Sequence, residues 1–217
     1  MIFGATGMVG QGVLRECLLD EGVKQVLTVG RTATGQQHPK LRELAHPDMW
    51  DYSSAEQALQ PYDACFFCLG VSSAGMSEAD YSRITYDATL AAATTLARLN
   101  PAMTFVYVSG AGTDSSERGR SMWARVKGRT ENALLRLPFR AAYMFRPAGI
   151  QPMHGIRSKT ASYRMLYTLT GPLLPLLRAC APSVMTTTGQ VGKAMLIVAR
   201  RGAASPILEA GDIARLS

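Results

Sequence analysis

Three glycines spaced three residues apart, in the run Gly4-Ala5-Thr6-Gly7-Met8-Val9-Gly10, follow a short apolar segment and open a helical apolar pattern at Val9, Val13, Leu14, Cys17 and Leu18. The first turn of a helix carries unpaired N–H groups and the positive end of the helix dipole, so it receives anions if the backbone can come close. In this order Gly4 permits a tight turn, Gly7 lets the chain approach a diphosphate, and Gly10 lets the helix pack on the strand. A second apolar run at residues 25–30 follows Gly22, which gives the β-turn-α-β opening that makes a glycine pattern a dinucleotide cradle. Thr6, Met8 and Val9 join the three glycines as expected cofactor contacts. The first apolar segment is shorter than the usual five or six residues or so, which raises the expectation that the natural chain begins upstream of Met1.

Beyond this opening, strand and helix patterns alternate. A loop at residues 32–40 leads to a short helical piece and a third strand at 47–50. The continuous apolar run at 62–69 reads as a strand covered on both faces. A helix over 77–99 carries Tyr81, Ile84, Ala88, Ala91, Ala92 and Leu96 at helical spacing and stops at Asn100-Pro101. A fifth strand at 103–109, a helix at 120–137, a sixth strand at 140–145, a helix at 188–200 and a seventh strand at 207–209 complete the pattern. This predicts an α/β Rossmann fold, a doubly wound parallel sheet of order 3-2-1-4-5-6, in one domain over 1–217. Residues 149–182 form a small substrate-side excursion within it.

At the end of the second strand, where a carboxylate would hold the adenosine ribose of NAD, the sequence is Thr28-Val29-Gly30-Arg31-Thr32. Arg31 suits a 2′-phosphate, which favours NADP(H) over NAD(H), although an ordinary surface arginine fits as well. Asp51 is placed to meet the adenine edge or else lies exposed in a loop. Strand ends on the carboxyl side of the sheet bring Leu69, Gly70 and Val71, then Ser109 and Gly110, then Pro147, to the crevice.

The formal charge of +7 draws anions, and the densest basic group is Arg118, Arg120, Arg125, Lys127 and Arg129. Only one aromatic residue, Trp123, falls within that group, too few to form a row of stacking platforms, which argues against nucleic acid. Cys17, Cys65, Cys68 and Cys180 have no framework spacing and indicate reducing surroundings. With no signal peptide and with Gly171, Pro172, Pro175, Arg178 and Pro182 interrupting the later apolar stretch, the expectation is a cytoplasmic protein without a transmembrane segment. His38, His46 and His154 lack metal-ligand spacing.

The residues resemble the atypical short-chain dehydrogenase/reductase family, the NAD(P)H-binding branch related to the Tat-interacting oxidoreductase and to NAD-dependent epimerases and dehydratases. The resemblance rests on the glycine run, Cys68-Leu69-Gly70, Val108-Ser109, Lys127-Gly128 with Glu131, and Arg146-Pro147. It implies that Lys127 binds the nicotinamide ribose, that Ser109 polarises a substrate carbonyl, and that a tyrosine one helical turn before the lysine exchanges the proton. That position holds Trp123, in Trp123-Ala124-Arg125-Val126-Lys127, and an indole N–H is not a usable acid near neutral pH. Two readings follow: an NADP(H)-dependent oxidoreductase-like protein acting on a small carbonyl or nucleotide-sugar-like compound, or a non-catalytic NADP(H)-binding sensor or partner-binding module. Met153, Tyr163, Leu166, Tyr167 and Leu169 suggest an apolar pocket wall, or equally a surface packed on the core or on the second subunit of a homodimer.

Overall fold

The computed structural model describes residues 1–156 and 185–217. Its main sheet has seven parallel strands in the order β3-β2-β1-β4-β5-β6-β9, formed by Leu41–Ala45, Val26–Gly30, Ile2–Phe3, Ala64–Phe67, Thr104–Val108, Ala141–Arg146 and Ile207–Glu209 respectively. This is the expected doubly wound order with the seventh strand added beside β6. Register is continuous across the sheet. Leu44, Val29, Phe3, Phe67, Tyr107, Met144 and Ile207 stand side by side, each the Cα partner of the next.

That row faces one layer of core, filled from above by Ala92, Ala93 and Leu96 of α3 (Ala88–Leu99) and Leu134 of α4 (Met122–Leu135). The opposite face carries Ile2, Phe66, Val106, Phe145 and Leu208. It is covered by Val13, Leu14 and Cys17 of α1 (Met8–Leu19), Val191, Ala194 and Met195 of α5 (Thr188–Arg201), and Ile213 of α6 (Ala210–Leu216). Side chains alternate between the two faces along each strand, so both faces must be apolar for the sheet to be buried. Cys65 and Cys68 accordingly do not act as a pair. Burial pushes the Cys65 thiol up to about 12, and Cys17 likewise, far from a reactive thiolate.

Several boundaries differ from the sequence expectations. The third strand is Leu41–Ala45, where a helical piece was expected, and residues 47–50 are not a strand. As the edge strand it buries only Leu41 fully, and the exposed Arg42 and Glu43, which point to opposite faces, hide the alternation. The helix expected over 77–99 begins at the Ser77 cap, whose hydroxyl accepts the Asp80 N–H. A π turn at Arg83–Asp87 then separates α2 (Glu78–Ser82) from α3. Nothing in the apolar spacing, which runs on through Tyr81, Thr85, Ala88 and Ala92, marks that interruption. A two-stranded parallel ribbon, β7 (Gly149–Gln151) with β8 (Met185–Thr187), and helix α6 were not anticipated. Tyr163, Leu166, Tyr167, Leu169 and Cys180, with most of the 149–182 excursion, lie outside the described residues.

Helices α1 and α5 pack closely through glycine. A Cβ on Gly12 would sit 2.5 Å from Thr188 Cβ and 2.7 Å from the Thr188 carbonyl oxygen, and one on Gly192 would sit 2.9 Å from Glu16 Cγ. Overpacking a rigid contact costs about 1–3 kcal/mol. Gly12→Val is therefore expected to lower the thermal midpoint by several degrees, at about 2–4 °C per kcal/mol for a domain of this size. Scanning calorimetry checks this, and an unchanged midpoint would show that the two helices have room to separate.

Candidate functional site

The glycine run does what its spacing requires. Gly4 has φ +74°, and a Cβ there would lie 2.7 Å from the Leu69 backbone nitrogen, so the turn after β1 presses on the end of β4. A Cβ on Gly10 would fall 2.1 Å from the Gly4 carbonyl oxygen, so α1 can start only if that position is bare. The Gly7 N–H donates to the Gly4 carbonyl at 2.9 Å and closes the turn. At the N-cap, Gly7 has no side chain to answer the first-turn amides, and that turn holds no acidic residue. By contrast α5 is closed by a capping box between Thr187 and Gln190. Among the described residues no side chain caps the amides at the start of α1, which are thus open to an anion. Thr6, Met8 and Val9 surround this turn and are partly exposed.

The remaining strand ends are level with it. Phe3 pairs with Phe67 and Phe67 with Tyr107, so Gly4, Leu69 and Ser109 sit near one line at the carboxyl edge of the sheet. Among the described residues, a Cβ on Gly70 or Gly110 would meet nothing within 4 Å, which leaves open space above both. Val71 is exposed beside Gly70. Buried Pro147 accepts the Ala111 N–H at 2.9 Å through its carbonyl, which ties the loops after β5 and β6 together. These features fit a dinucleotide: open amides for phosphates, then a trough floored by bare backbone.

Arg31 lies exposed at the end of β2. The nearby acids are engaged elsewhere. Glu43 accepts the Thr34 N–H at 2.7 Å, and Asp51 accepts from Ser53, which holds the Asp51 carboxyl below the usual carboxylate range. Asp51 is exposed, and its carbonyl lies 2.7 Å from Nε2 of His46.

Lys127 turns inward from α4. Its Nζ donates to the Ser109 carbonyl at 2.6 Å and lies 5.8 Å from the centre of the Tyr107 ring. Desolvation pulls the ammonium down to about 8, opposed by the charge of Glu131. The Ser109 hydroxyl is not presented to a substrate. It is buried, donates to Glu131 at 2.5 Å, and has the Phe145 carbonyl at 3.2 Å. The polarising role expected of Ser109 therefore lacks support in this geometry, and its carbonyl is the group that meets Lys127. Glu131 is fully buried and takes a two-point ion pair from Arg146, at 2.5 and 3.1 Å. Arg146 also reaches Ser115 and Glu209. Glu131 and Arg146 had been noted in the sequence without a role; a charged pair in otherwise apolar segments was the available signal.

Trp123, one turn before Lys127, is partly exposed, and its ring lies 3.6 Å from where a Cβ on Gly112 would stand. Tyr81 and Tyr107 are buried, and burial raises the Tyr107 phenol. Tyr86 is covered by Arg129, 4.2 Å from its ring centre. The basic group singled out in the sequence is dispersed: Arg125 pairs with Glu78 at 2.6 Å, Lys127 faces β5 and Arg129 lies on Tyr86.

Fold and crevice together define a Rossmann protein of the short-chain dehydrogenase/reductase type. Residues 1–119 match the NAD dependent epimerase/dehydratase family, and the chain belongs to that family. Among curated relatives, the protein fmp52-2, mitochondrial, of Aspergillus oryzae is 26% identical over 99% of this chain and 95% of its own length. Among solved structures, the Bordetella bronchiseptica enzyme WbmF in complex with NAD+ superposes with TM-score 0.68 at 16% identity, over 99% of this chain and 76% of that one. Helicobacter pylori ADP-L-glycero-D-manno-heptose-6-epimerase gives 0.69 at 14% identity, over 98% and 78%. At such identities the likeness is one of fold. The cytoplasmic expectation is overturned by the curated relatives, whose names label them mitochondrial. Reduced, buried thiols report redox conditions and carry no address. Among the described residues no helix is long and apolar enough to cross a membrane.

The desolvated, half-buried ammonium has a measurable consequence. The Lys127 pKa is about 8 in the fold against 10.5 for a free lysine, so the unfolded chain binds more protons between these values. The cost of burying the charge is present in full below pH 8 and is relieved as pH rises toward 10.5. Lys127→Met, without ligand, is expected to be more stable than wild type at neutral pH, with the gap closing across that window. Thermal melts from pH 7 to about 10.5 check it, and a gap that stays constant would contradict the assigned burial.

Proposed function

We propose that the chain is one dinucleotide-binding unit that takes NADP(H) in preference to NAD(H), as an oxidoreductase-like protein of the atypical short-chain type. The observation that carries this reading is the uncapped start of α1, brought against the ends of β1 and β4 by Gly4 and Gly10. In it, Gly4, Thr6, Gly7, Met8, Val9 and Gly10 hold the diphosphate, and Leu69, Gly70, Val71 and Pro147 border the ribose and nicotinamide. Lys127 binds the nicotinamide ribose. Arg31 supports the 2′-phosphate, since the acids near it are engaged elsewhere. Asp51 stands near the adenine edge. The nicotinamide, when bound, supplies a hydride donor or acceptor, and the chain's own residues orient it.

That WbmF is known with NAD+, with NADH, and with NAD+ and UDP supports the nicotinamide cofactor and a small carbonyl or nucleotide-sugar-like substrate class. A second reading, a non-catalytic NADP(H) sensor, is favoured by Trp123 and by the inward Ser109 hydroxyl, since neither offers a proton to a substrate. Incubation with NADPH and a panel of quinones, aldehydes and ketones separates the two. Turnover abolished by Lys127→Ala marks an enzyme, and tight binding without oxidation marks a sensor.

Loss of a guanidinium–phosphate contact is expected to cost about 1.5–3 kcal/mol. Arg31→Ala should therefore weaken NADPH about ten- to a hundredfold in isothermal titration and leave NADH within about twofold. Equal losses for both cofactors would remove Arg31 from the 2′-phosphate.

A further inference from the structure

The chain of contacts leading to Lys127 runs deeper than the crevice. Arg146 of β6 grips Glu131 through two nitrogens, and Glu131 takes the Ser109 hydroxyl. Ser109 in turn offers its carbonyl to Lys127. Ser109 is thus held at both ends, by a buried carboxylate on its side chain and by the ammonium on its main chain. Its N–H adds a third anchor, donating to the Phe145 carbonyl at 2.9 Å. Glu131 is four residues past Lys127 on α4, so helix and strand are clamped at two adjacent turns of one helix face.

We propose that Glu131 is a positioning residue for Lys127: held by Arg146, it fixes the end of β5 through Ser109 so that the ammonium has one defined seat. The proposal rests on the reading of Lys127 as a cofactor-binding group. The groups that face Lys127 are Tyr107 of β5, with Tyr81 of α2 acting on Tyr107, Glu131 of its own helix, and Arg146 of β6 behind Glu131. A clamp of this kind explains why a fully buried ion pair, which carries a desolvation cost, stands beneath a crevice. A well-packed apolar pair would hold the two elements together as well, yet it would leave the Ser109 hydroxyl with only the longer contact to the Phe145 carbonyl at 3.2 Å and Lys127 without its nearby anion.

The test uses the full chain with its lysines 13C-methylated, and the Lys127 signal assigned by its loss in Lys127→Arg. In Glu131→Gln the Lys127 amine, without any cofactor, should titrate lower than in wild type, and NADPH affinity should fall about tenfold or more. Ser109→Ala, which removes only the hydroxyl, should weaken NADPH in the same direction, and Ser109→Thr, which restores a hydroxyl, should recover most of the affinity. This pair keeps the test decisive if Glu131→Gln does not fold. A folded Glu131→Gln with unchanged Lys127 titration and unchanged affinity would overturn the proposal, as would equal affinities for Ser109→Ala and Ser109→Thr. If wild type binds no dinucleotide, the cofactor reading fails, while the titration of Lys127 still reports on the clamp.

Discussion

The structure depends on a backbone-to-backbone contact that tolerates no side chain. The Gly4 carbonyl lies where a Cβ on Gly10 would be, and Gly4 itself lies against the end of β4. With β1 only two residues long, the first strand has little ladder to hold it, and this contact joins it to α1 and to the sheet. The same closeness aims the open amides of α1 at the carboxyl edge of the strands. Fold and candidate site are therefore set by one constraint: what lets the helix pack also exposes its N-terminus to an anion.

A second constraint lies further along the sheet. Beneath an otherwise apolar layer, Glu131, Arg146 and Ser109 form a buried polar cluster with each member partnered. The Arg146 guanidinium is held above its ordinary range by hydrogen bonding to Glu131. Lys127 is pulled the opposite way by desolvation, so the two cations of the cluster differ in how firmly they hold a proton. Where the family resemblance places a proton-exchanging tyrosine, one turn before Lys127, the chain carries Trp123.

Much of the architecture was legible because parallel, doubly covered strands advertise themselves: Phe66 and Phe67 in one run, and Phe105, Val106 and Tyr107 in the next, are apolar on both faces. The strand order followed from the alternation of elements. The edge strand β3 was misplaced because a strand with exposed residues on both faces and a single fully buried residue resembles a short helix or loop. The π turn within the α2–α3 helix had no compositional mark, and β7 and β8 were missed because three-residue strands carry too little periodicity. In the site, glycine spacing located the cradle, since there the absence of a side chain is itself the requirement. The direction in which Ser109 points was not legible, because a serine at a strand end reads the same whether it faces the crevice or a buried carboxylate supplied by Glu131, twenty-two residues away.

The account is tested most directly by amide NMR on the 15N-labelled chain as NADPH is added. The prediction is saturable shifts centred on the Gly7, Met8, Val9 and Gly10 amides, with smaller ones at Gly70 and Gly110. Shifts confined to other surfaces, or none at concentrations well above those of typical cofactor binding, would contradict the claim that the start of α1 is where this protein receives its ligand.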